Sequence, residues 1–183
     1  MQLTRRTLLT TMTGSLVGLS AAPVLASLPS SVTLPWSDVR ELSFLNLHTG
    51  ERAKSVAYFD GGQYVPGALA ELSHIMRDHR TDDVINMDPK LMDLLHVLQT
   101  RLGSESEIEI ISAYRSPASN AKLAAKSGRV AKKSYHMRGM AIDIALKDRR
   151  LSEIKQAALD LNMGGVGKYR KFVHVDTGPV RSW

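Results

Sequence analysis

Residues 134–146 read SYHMRGMAIDIAL, a polar loop that leads into an apolar strand with a carboxylate at its middle. Asp143 lies between two isoleucines, and a buried carboxylate is costly unless it is paired or bound to a metal. The loop supplies one candidate partner, His136. The stretch therefore predicts a core strand whose buried carboxylate belongs to a polar site, with the remaining residues of that site supplied from elsewhere in the chain.

A second stretch, residues 172–176, reads FVHVD and predicts another strand. Side chains alternate along a strand, so His174 and Asp176 share one face. Two histidines and one aspartate with an open fourth position form a reasonable catalytic zinc shell. Spacing alone leaves a second interpretation equally open, in which Asp143 pairs with an arginine and both histidines are structural.

The remaining pattern predicts an α+β fold, with a small, mainly antiparallel sheet and helices packed on one side. Period-2 alternation or apolar runs predict strands, and apolar residues at helical spacing predict helices. Asp88 and Pro89 are typical of a helix start, and Gly103 of its end. The predicted strands are 42–47, 56–59, 107–113, 141–146 and 172–176, and the predicted helices lie at 69–76, 91–98, 118–126 and 152–161.

The composition limits which catalytic groups and metal ligands the protein can use. The 183 residues include no cysteine, so disulfides, thiolate catalysis and cysteine-ligated zinc are excluded. The formal net charge is +6, and it falls to +4 without Arg5 and Arg6. A modest positive balance suits an acidic polymer or an anionic surface. The sequence has neither the basic stripe nor the motif of a nucleic-acid-binding protein, so no nucleic-acid partner is expected.

The N-terminus predicts an export signal at residues 1–26. Paired arginines precede a moderately apolar run at 8–19, and Ala26 ends a small-residue cleavage site. The arginine pair favours twin-arginine export, with a Sec leader as the alternative. A leader that stays uncleaved would anchor the chain to a membrane. Residues 27–39, with two prolines and several serines, predict a linker before the folded domain at 40–183.

The motif Ser-x-His-x-x-Gly-x-Ala-x-Asp at residues 134–143 resembles the zinc D-Ala-D-Ala carboxypeptidase (LAS metallopeptidase) superfamily. More of the chain is similar to the MepK (YcbK-like) murein endopeptidases. That likeness spans nearly all of the chain after the leader. It is carried by AKKSYH at 131–136, GGVG at 164–167, FVHVDTGP at 172–179, LHTGE at 47–51 and Trp183.

The resemblance implies that residues 40–183 form a zinc peptidase domain with a hedgehog- or D-Ala-D-Ala peptidase-like fold. His136, Asp143 and His174 correspond to the zinc ligands of the family. Arg115 matches an arginine that meets substrate carboxylate or carbonyl groups, a task suited to the planar fork of a guanidinium. The implied substrate is the peptide stems of peptidoglycan, cut at 3–3 or 4–3 cross-links in the periplasm.

One position departs from the superfamily pattern. Many members carry an acidic general base three residues before the last histidine ligand, where this chain has Lys171. The MepK-like branch also lacks that acid. Asp176 is the nearest replacement as a catalytic base. The alternatives are that Asp176 orients a ligand or pairs with Arg115 or Arg181.

Three functions follow as hypotheses. The first is an endopeptidase that cuts cross-links between stem peptides. The second is a D,D- or L,D-carboxypeptidase or dipeptidase that trims free stem ends with the same metal site. The third is a wall-binding module without activity, whose metal is structural and would need a fourth protein ligand. A monomer is expected in each case.

Overall fold

The computed structural model describes residues 39–127 and 130–183. It contains eight strands, four α-helices and one short 3₁₀ helix. The strands are β1 (Arg40–Asn46), β2 (Arg52–Asp60), β3 (Gln63–Tyr64), β4 (Ile108–Ser112), β5 (Ala141–Ala145), β6 (Gly165–Lys168), β7 (Val173–Asp176) and β8 (Arg181–Ser182). The helices are α1 (Pro66–Ile75), α2 (Pro89–Leu102), α3 (Pro117–Lys126), α4 (Leu151–Leu161) and the 3₁₀ helix (Tyr135–Arg138).

All eight strands join one sheet in the order β3-β2-β1-β4-β5-β7-β6-β8. The prediction of an α+β fold is confirmed. The sheet is mixed and larger than predicted, because β1 pairs with β4 and β6 with β8 in parallel. The other five pairings are antiparallel. Parallel neighbours need a crossover connection between the two strands. The hydrophobic pattern of a strand does not show which strand it will pair with, so these two parallel pairings were not predicted.

The predicted signals for α2 are confirmed. Asp88 lies at the N-cap, where its side chain accepts a hydrogen bond from the amide of Lys90. Pro89 occupies the first turn, where its missing N–H costs nothing. Gly103 ends the helix in the left-handed conformation, with φ of 56°. Such a backbone favours glycine because it has no Cβ.

The central strands separate the core from a polar face. Ile142 and Ile144 of β5, with Val173 and Val175 of β7, belong to the buried apolar cluster that also includes Ile154 of α4. Helices α2 and α4 contact each other and the sheet, so both lie on this apolar face. The alternate residues of β5 and β7 face the other way. The sheet therefore places its polar side chains opposite these two helices.

Strands β3, β6 and β8 were not predicted. Two of them have only two residues, too short for any alternation. The segment of β6 begins within GGVG, and glycine is unfavourable in strands. Its glycines have a packing reason: a Cβ at Gly167 would lie 2.4 Å from the ring of Trp183. The glycine thus marks a close approach between two strands.

The predicted leader at 1–26 lies outside the described residues, as does nearly all of the predicted linker at 27–39. Their export, cleavage and anchoring roles stay predictions. Within the described ranges, no helix combines the length and apolar character needed to cross a bilayer.

Candidate metal centre

Three elements bring together the predicted ligands. His136 lies in the 3₁₀ helix, Asp143 at the middle of β5 and His174 in β7. Asp143 and His174 are direct partners in the antiparallel register of these two strands. Cross-strand partners share a face, so the sheet itself sets the separation of two of the three side chains.

The three donor atoms converge on one point. Nδ1 of His174 lies 2.8 Å from Oδ1 of Asp143, and Nε2 of His136 lies 3.2 Å from Nδ1 of His174. Nε2 of His136 is 3.4 Å from Oδ1 of Asp143. Among the described residues this is the one group of three or more histidines and acids with metal-ligand spacing. Two imidazole nitrogens and one carboxylate oxygen form a donor set that suits zinc.

His136 is oriented by the backbone. Its Nδ1 lies 2.6 Å from the carbonyl oxygen of Ala113, at the end of β4. A carbonyl can only accept, so Nδ1 carries the proton and the lone pair of Nε2 faces the other two ligands. Ser134 caps the 3₁₀ helix by accepting from the amide of His136 at 3.3 Å. This is the arrangement expected of a metal-binding histidine, whose second nitrogen is usually held by an acceptor.

His174 is oriented in the same manner by Asp176. Its Nε2 lies 3.0 Å from Oδ2 of Asp176. A carboxylate can only accept, so Nε2 donates to Asp176, and Nδ1 is the nitrogen that faces Asp143 and would present its lone pair to a bound metal. The prediction that His174 and Asp176 share a strand face is confirmed by this contact.

The Asp176 carboxylate is fully buried and has several further donors. Arg181 binds it bidentately, with NH2 at 2.7 Å from Oδ2 and NH1 at 3.1 Å from Oδ1. The amides of Gly165 and Gly178 also donate to Oδ1, at 3.2 and 2.8 Å. Of the two arginines proposed as partners from the sequence, Arg181 makes the pair, and no contact joins Asp176 to Arg115 in the described residues.

The electrostatics keep both acids ionised. Burial raises the pKa of Asp143, but His136 and His174 outweigh it and hold that pKa well below its usual range. Burial likewise raises the pKa of Asp176, and hydrogen bonds from His174, Arg181 and Gly178 lower it further than burial raises it. Burial lowers the pKa of His174, but its hydrogen bonds to the two carboxylates give a net rise.

Arg115 extends from the loop after β4 into the same site. Its amide donates to the carbonyl of His136 at 3.2 Å, which ties the arginine to the ligand loop. The guanidinium makes long contacts to Asn120 and Ser112, at 3.3 and 3.4 Å, and its buried Nε has no hydrogen-bond partner in the part of the chain that the structure describes. Burial lowers the pKa of Arg115, while the charge of Asp143 raises it. A buried, under-satisfied guanidinium is suited to receive an oxygen ligand.

These groups open into a cleft of about 390 Å³. Sequence reasoning identified its polar floor but gave no wall role to Lys133 and Phe172, which lie within the resemblance motifs, or to Tyr169, which carries no motif signal. Asp143 is the one acid in the described part of the lining, so no second free carboxylate faces the cleft. The lining residues are Arg115, Ser127, Val130, Ala131, Lys133, Ser134, Tyr135, His136, Asp143, Tyr169, Phe172, His174, Arg181 and Trp183.

Comparisons with known proteins agree with this geometry. The family described as peptidoglycan L,D-endopeptidase MepK, a peptidase family, matches residues 35–183. The Escherichia coli K12 protein named peptidoglycan L,D-endopeptidase MepK is 43% identical over 171 residues, covering 92% of this chain and 93% of that protein. A Haemophilus influenzae protein, named a probable peptidoglycan L,D-endopeptidase MepK, is 44% identical over 147 residues, or 79% and 78% of the two chains.

Proposed function

The chain belongs to the peptidoglycan L,D-endopeptidase MepK family of peptidases, and from this premise we propose that it hydrolyses peptide cross-links in peptidoglycan with a bound zinc ion. One observation carries the proposal: His136, Asp143 and His174 converge on the floor of a cleft with donor atoms 2.8 to 3.4 Å apart. Two nitrogen donors and one oxygen donor fit zinc, with a fourth position toward substrate.

Zinc in such a site would lower the pKa of a water molecule toward about 7 and polarise the scissile carbonyl. The protein itself holds the proposed ligands in position. His136 and His174 are pre-oriented by Ala113 and Asp176, so little rearrangement is needed to receive the ion. The sheet fixes Asp143 opposite His174.

Arg115 is proposed to bind the substrate. Arg115 lines the cleft together with His136 and Asp143, and among residues 39–127 and 130–183 its Nε has no hydrogen-bond partner. A carboxylate of the stem peptide, or the carbonyl being attacked, would bind the guanidinium through charge-assisted hydrogen bonds. Removing Arg115 should therefore weaken substrate binding and turnover without loss of the metal.

Asp176 is proposed to position His174 rather than to act as the base. Its carboxylate is inaccessible to solvent and is held by Arg181, two amides and the imidazole. A general base must be within hydrogen-bond reach of the proton that it accepts. Asp176 is not itself among the lining residues, although its partners His174 and Arg181 are, which supports the positioning role.

The same contacts weigh against a purely structural metal. A structural zinc site is normally closed by a fourth protein ligand. Asp176 was the candidate for that place, but it bonds to the far nitrogen of His174. Among the described residues, no other histidine or acid joins the three ligands.

Location follows from the substrate. Action on peptidoglycan requires export, which agrees with the predicted twin-arginine leader at 1–26. We therefore propose a periplasmic enzyme. A monomeric state, and membrane attachment through a retained leader, stay predictions.

The test is a digestion of cross-linked sacculi. The purified protein would be incubated with sacculi with and without a chelator, and the released muropeptides identified by mass. Loss of cross-linked dimers should be abolished by chelation and by His174→Ala, and restored to the wild-type protein by zinc. The masses would also identify 3–3 or 4–3 bonds as the ones cut.

Two other outcomes would reject this function. If dimers persist while monomeric stems shorten, the protein is a carboxypeptidase or dipeptidase that trims stem ends. If a folded, zinc-loaded protein leaves every muropeptide unchanged, the wall-binding hypothesis replaces the enzyme.

A further inference from the structure

Charge is unevenly divided along the chain. Residues 113–142 contain seven lysines and arginines and no acid, whereas residues 39–112 contain twelve acids against seven lysines and arginines. The first of these ranges supplies one wall of the cleft, between Ser127 and Tyr135. The cationic excess is therefore concentrated beside the candidate metal centre.

Exposed cations flank the cleft on both sides. One group follows α3, next to the lining residues Ser127 and Ala131. The other lies at the end of β6 and in the turn before β7, next to the lining residues Tyr169 and Phe172. We call these six exposed side chains the cationic rim: Lys126, Lys132, Lys133, Lys168, Arg170 and Lys171.

The rim cations have no acid partner among the described residues, a feature that they share with exposed lysines elsewhere such as Lys54 and Lys90, so their grouping around one cleft is what sets them apart. Within residues 39–127 and 130–183, none of the six forms an ion pair with an acid. Arginines on the rest of the sheet and its helices do, and examples are Arg40 with Asp93, Arg52 with Glu107, Arg77 with Glu51 and Arg101 with Asp160. Like charges around one cleft repel each other, so this arrangement is unfavourable without an anionic partner.

We propose that the cationic rim is a docking surface for the carboxylates of stem peptides that neighbour the bond being cut. This inference rests on the proposed function, because it takes cross-linked peptidoglycan as the polymer that enters the cleft. Stem peptides carry free carboxylates at intervals along the polymer, and a strand in the cleft would run between the two halves of the rim. Long-range attraction of this kind raises the rate of encounter and is screened by salt.

The geometry favours a polymer over a lipid surface. The rim surrounds a cleft whose floor holds buried ligands, with Tyr169 and Trp183 half-exposed at its wall. A chain-like polyanion can enter this cleft and contact both halves of the rim. A flat bilayer would touch the rim but not the floor. Anionic lipid is therefore an outcome that the test must separate.

The test measures binding without cleavage. Chelator-treated protein would be sedimented with intact sacculi over a range of about 0.05 to 0.5 M salt. The rim variant carries Lys132→Glu, Arg170→Glu and Lys171→Glu. The matched control carries Lys54→Glu, Lys90→Glu and Lys155→Glu, which change the net charge equally on β2, α2 and α4. Thermal unfolding would establish that both variants are folded. If the rim variant does not fold, the same three positions would be changed to Gln instead of Glu.

The wild-type protein and the control should bind sacculi in a salt-dependent manner, and the rim variant about tenfold or more weakly. Equal binding by rim and control variants, or binding that salt does not affect, would overturn the inference. So would rim-dependent binding to phosphatidylglycerol vesicles with no rim effect on sacculi. Since no bond is cut in this assay, a failure of the rim is distinct from a failure of the enzyme, which the muropeptide digestion measures.

Discussion

The Nε2 atom of His174 lies 3.0 Å from Oδ2 of Asp176, two residues further along the same strand. This contact fixes which nitrogen of His174 faces the other ligands. It also extends the centre outward, since Arg181 holds the other side of the Asp176 carboxylate. A row of three side chains, Arg181, Asp176 and His174, thus leads from the surface to the proposed metal ligands.

The variant Asp176→Asn tests what this row does. Asparagine has nearly the same shape but removes the negative charge that holds the imidazole and Arg181. Loss of such a partner typically weakens metal affinity by about 10- to 100-fold. We expect that loss in a zinc competition titration, together with lower turnover. A variant that binds zinc like the wild type and loses only turnover would instead identify Asp176 as a catalytic base.

Arg181 should contribute to stability through Asp176. Replacing it by methionine leaves a fully buried carboxylate without its bidentate partner, and it also removes a cation stacked on Tyr135 and Trp183. Because Arg181 is itself part-exposed, we expect a loss of about 1–3 kcal/mol in the free energy of unfolding. Urea titration measures it. Arg181→Lys keeps the positive charge but cannot bind the carboxylate bidentately, so its free energy of unfolding should lie between those of the wild type and Arg181→Met. Equal stability of all three proteins would contradict a stabilising role for the Arg181–Asp176 pair.

Strong local signals allowed the sequence to predict much of this centre. Asp143 stands out as a carboxylate inside an apolar strand, and the alternation of FVHVD places His174 and Asp176 together. Arg181 and the aromatic wall were harder to identify, because their roles depend on β6 and β8 meeting in space. The glycines that permit this meeting look like loop residues in the sequence; the close approach of Arg181 and Asp176 explains Gly165, and that of Trp183 explains Gly167.

Gly167→Ala tests that packing. A Cβ at this position would lie 2.4 Å from Cε2 of Trp183, so the indole at the cleft wall must move. Overpacking of this kind typically costs about 1–3 kcal/mol. We expect lower thermal stability and an altered tryptophan fluorescence spectrum. Gly67→Ala is the matched control: its Cβ would meet no atom within 4 Å, and in α1 it should stabilise by up to about 1 kcal/mol. Equal effects of the two changes would refute the packing role.

Asp78 should give the protein a defined sensitivity to acid. Its carboxylate is fully buried, accepting from the amide of Ser116 at 2.8 Å and from that of Arg80 at 3.0 Å. Burial raises the pKa of Asp78, but hydrogen bonds from Ser119, Ser116 and Arg80 lower it to about 2, against 3.8 as its ordinary value. Since Ser116 follows Arg115, this carboxylate also anchors the loop that presents the guanidinium proposed to bind substrate.

The sign of the pH effect follows from the lowered pKa. Deprotonated Asp78 stabilises the fold fully above pH about 4, and this contribution is lost as the pH falls toward about 2. A shift of nearly two units corresponds to about 2 kcal/mol. Other carboxylates titrate in the same range, so the difference between wild type and Asp78→Asn isolates the effect. Urea unfolding at several pH values should show the variant less stable at pH 6, with the gap narrowing by about 2 kcal/mol as the pH approaches 2. A gap that stays constant with pH would mean that Asp78 contributes shape and not charge, and that the loop of Arg115 is held by its neutral contacts alone.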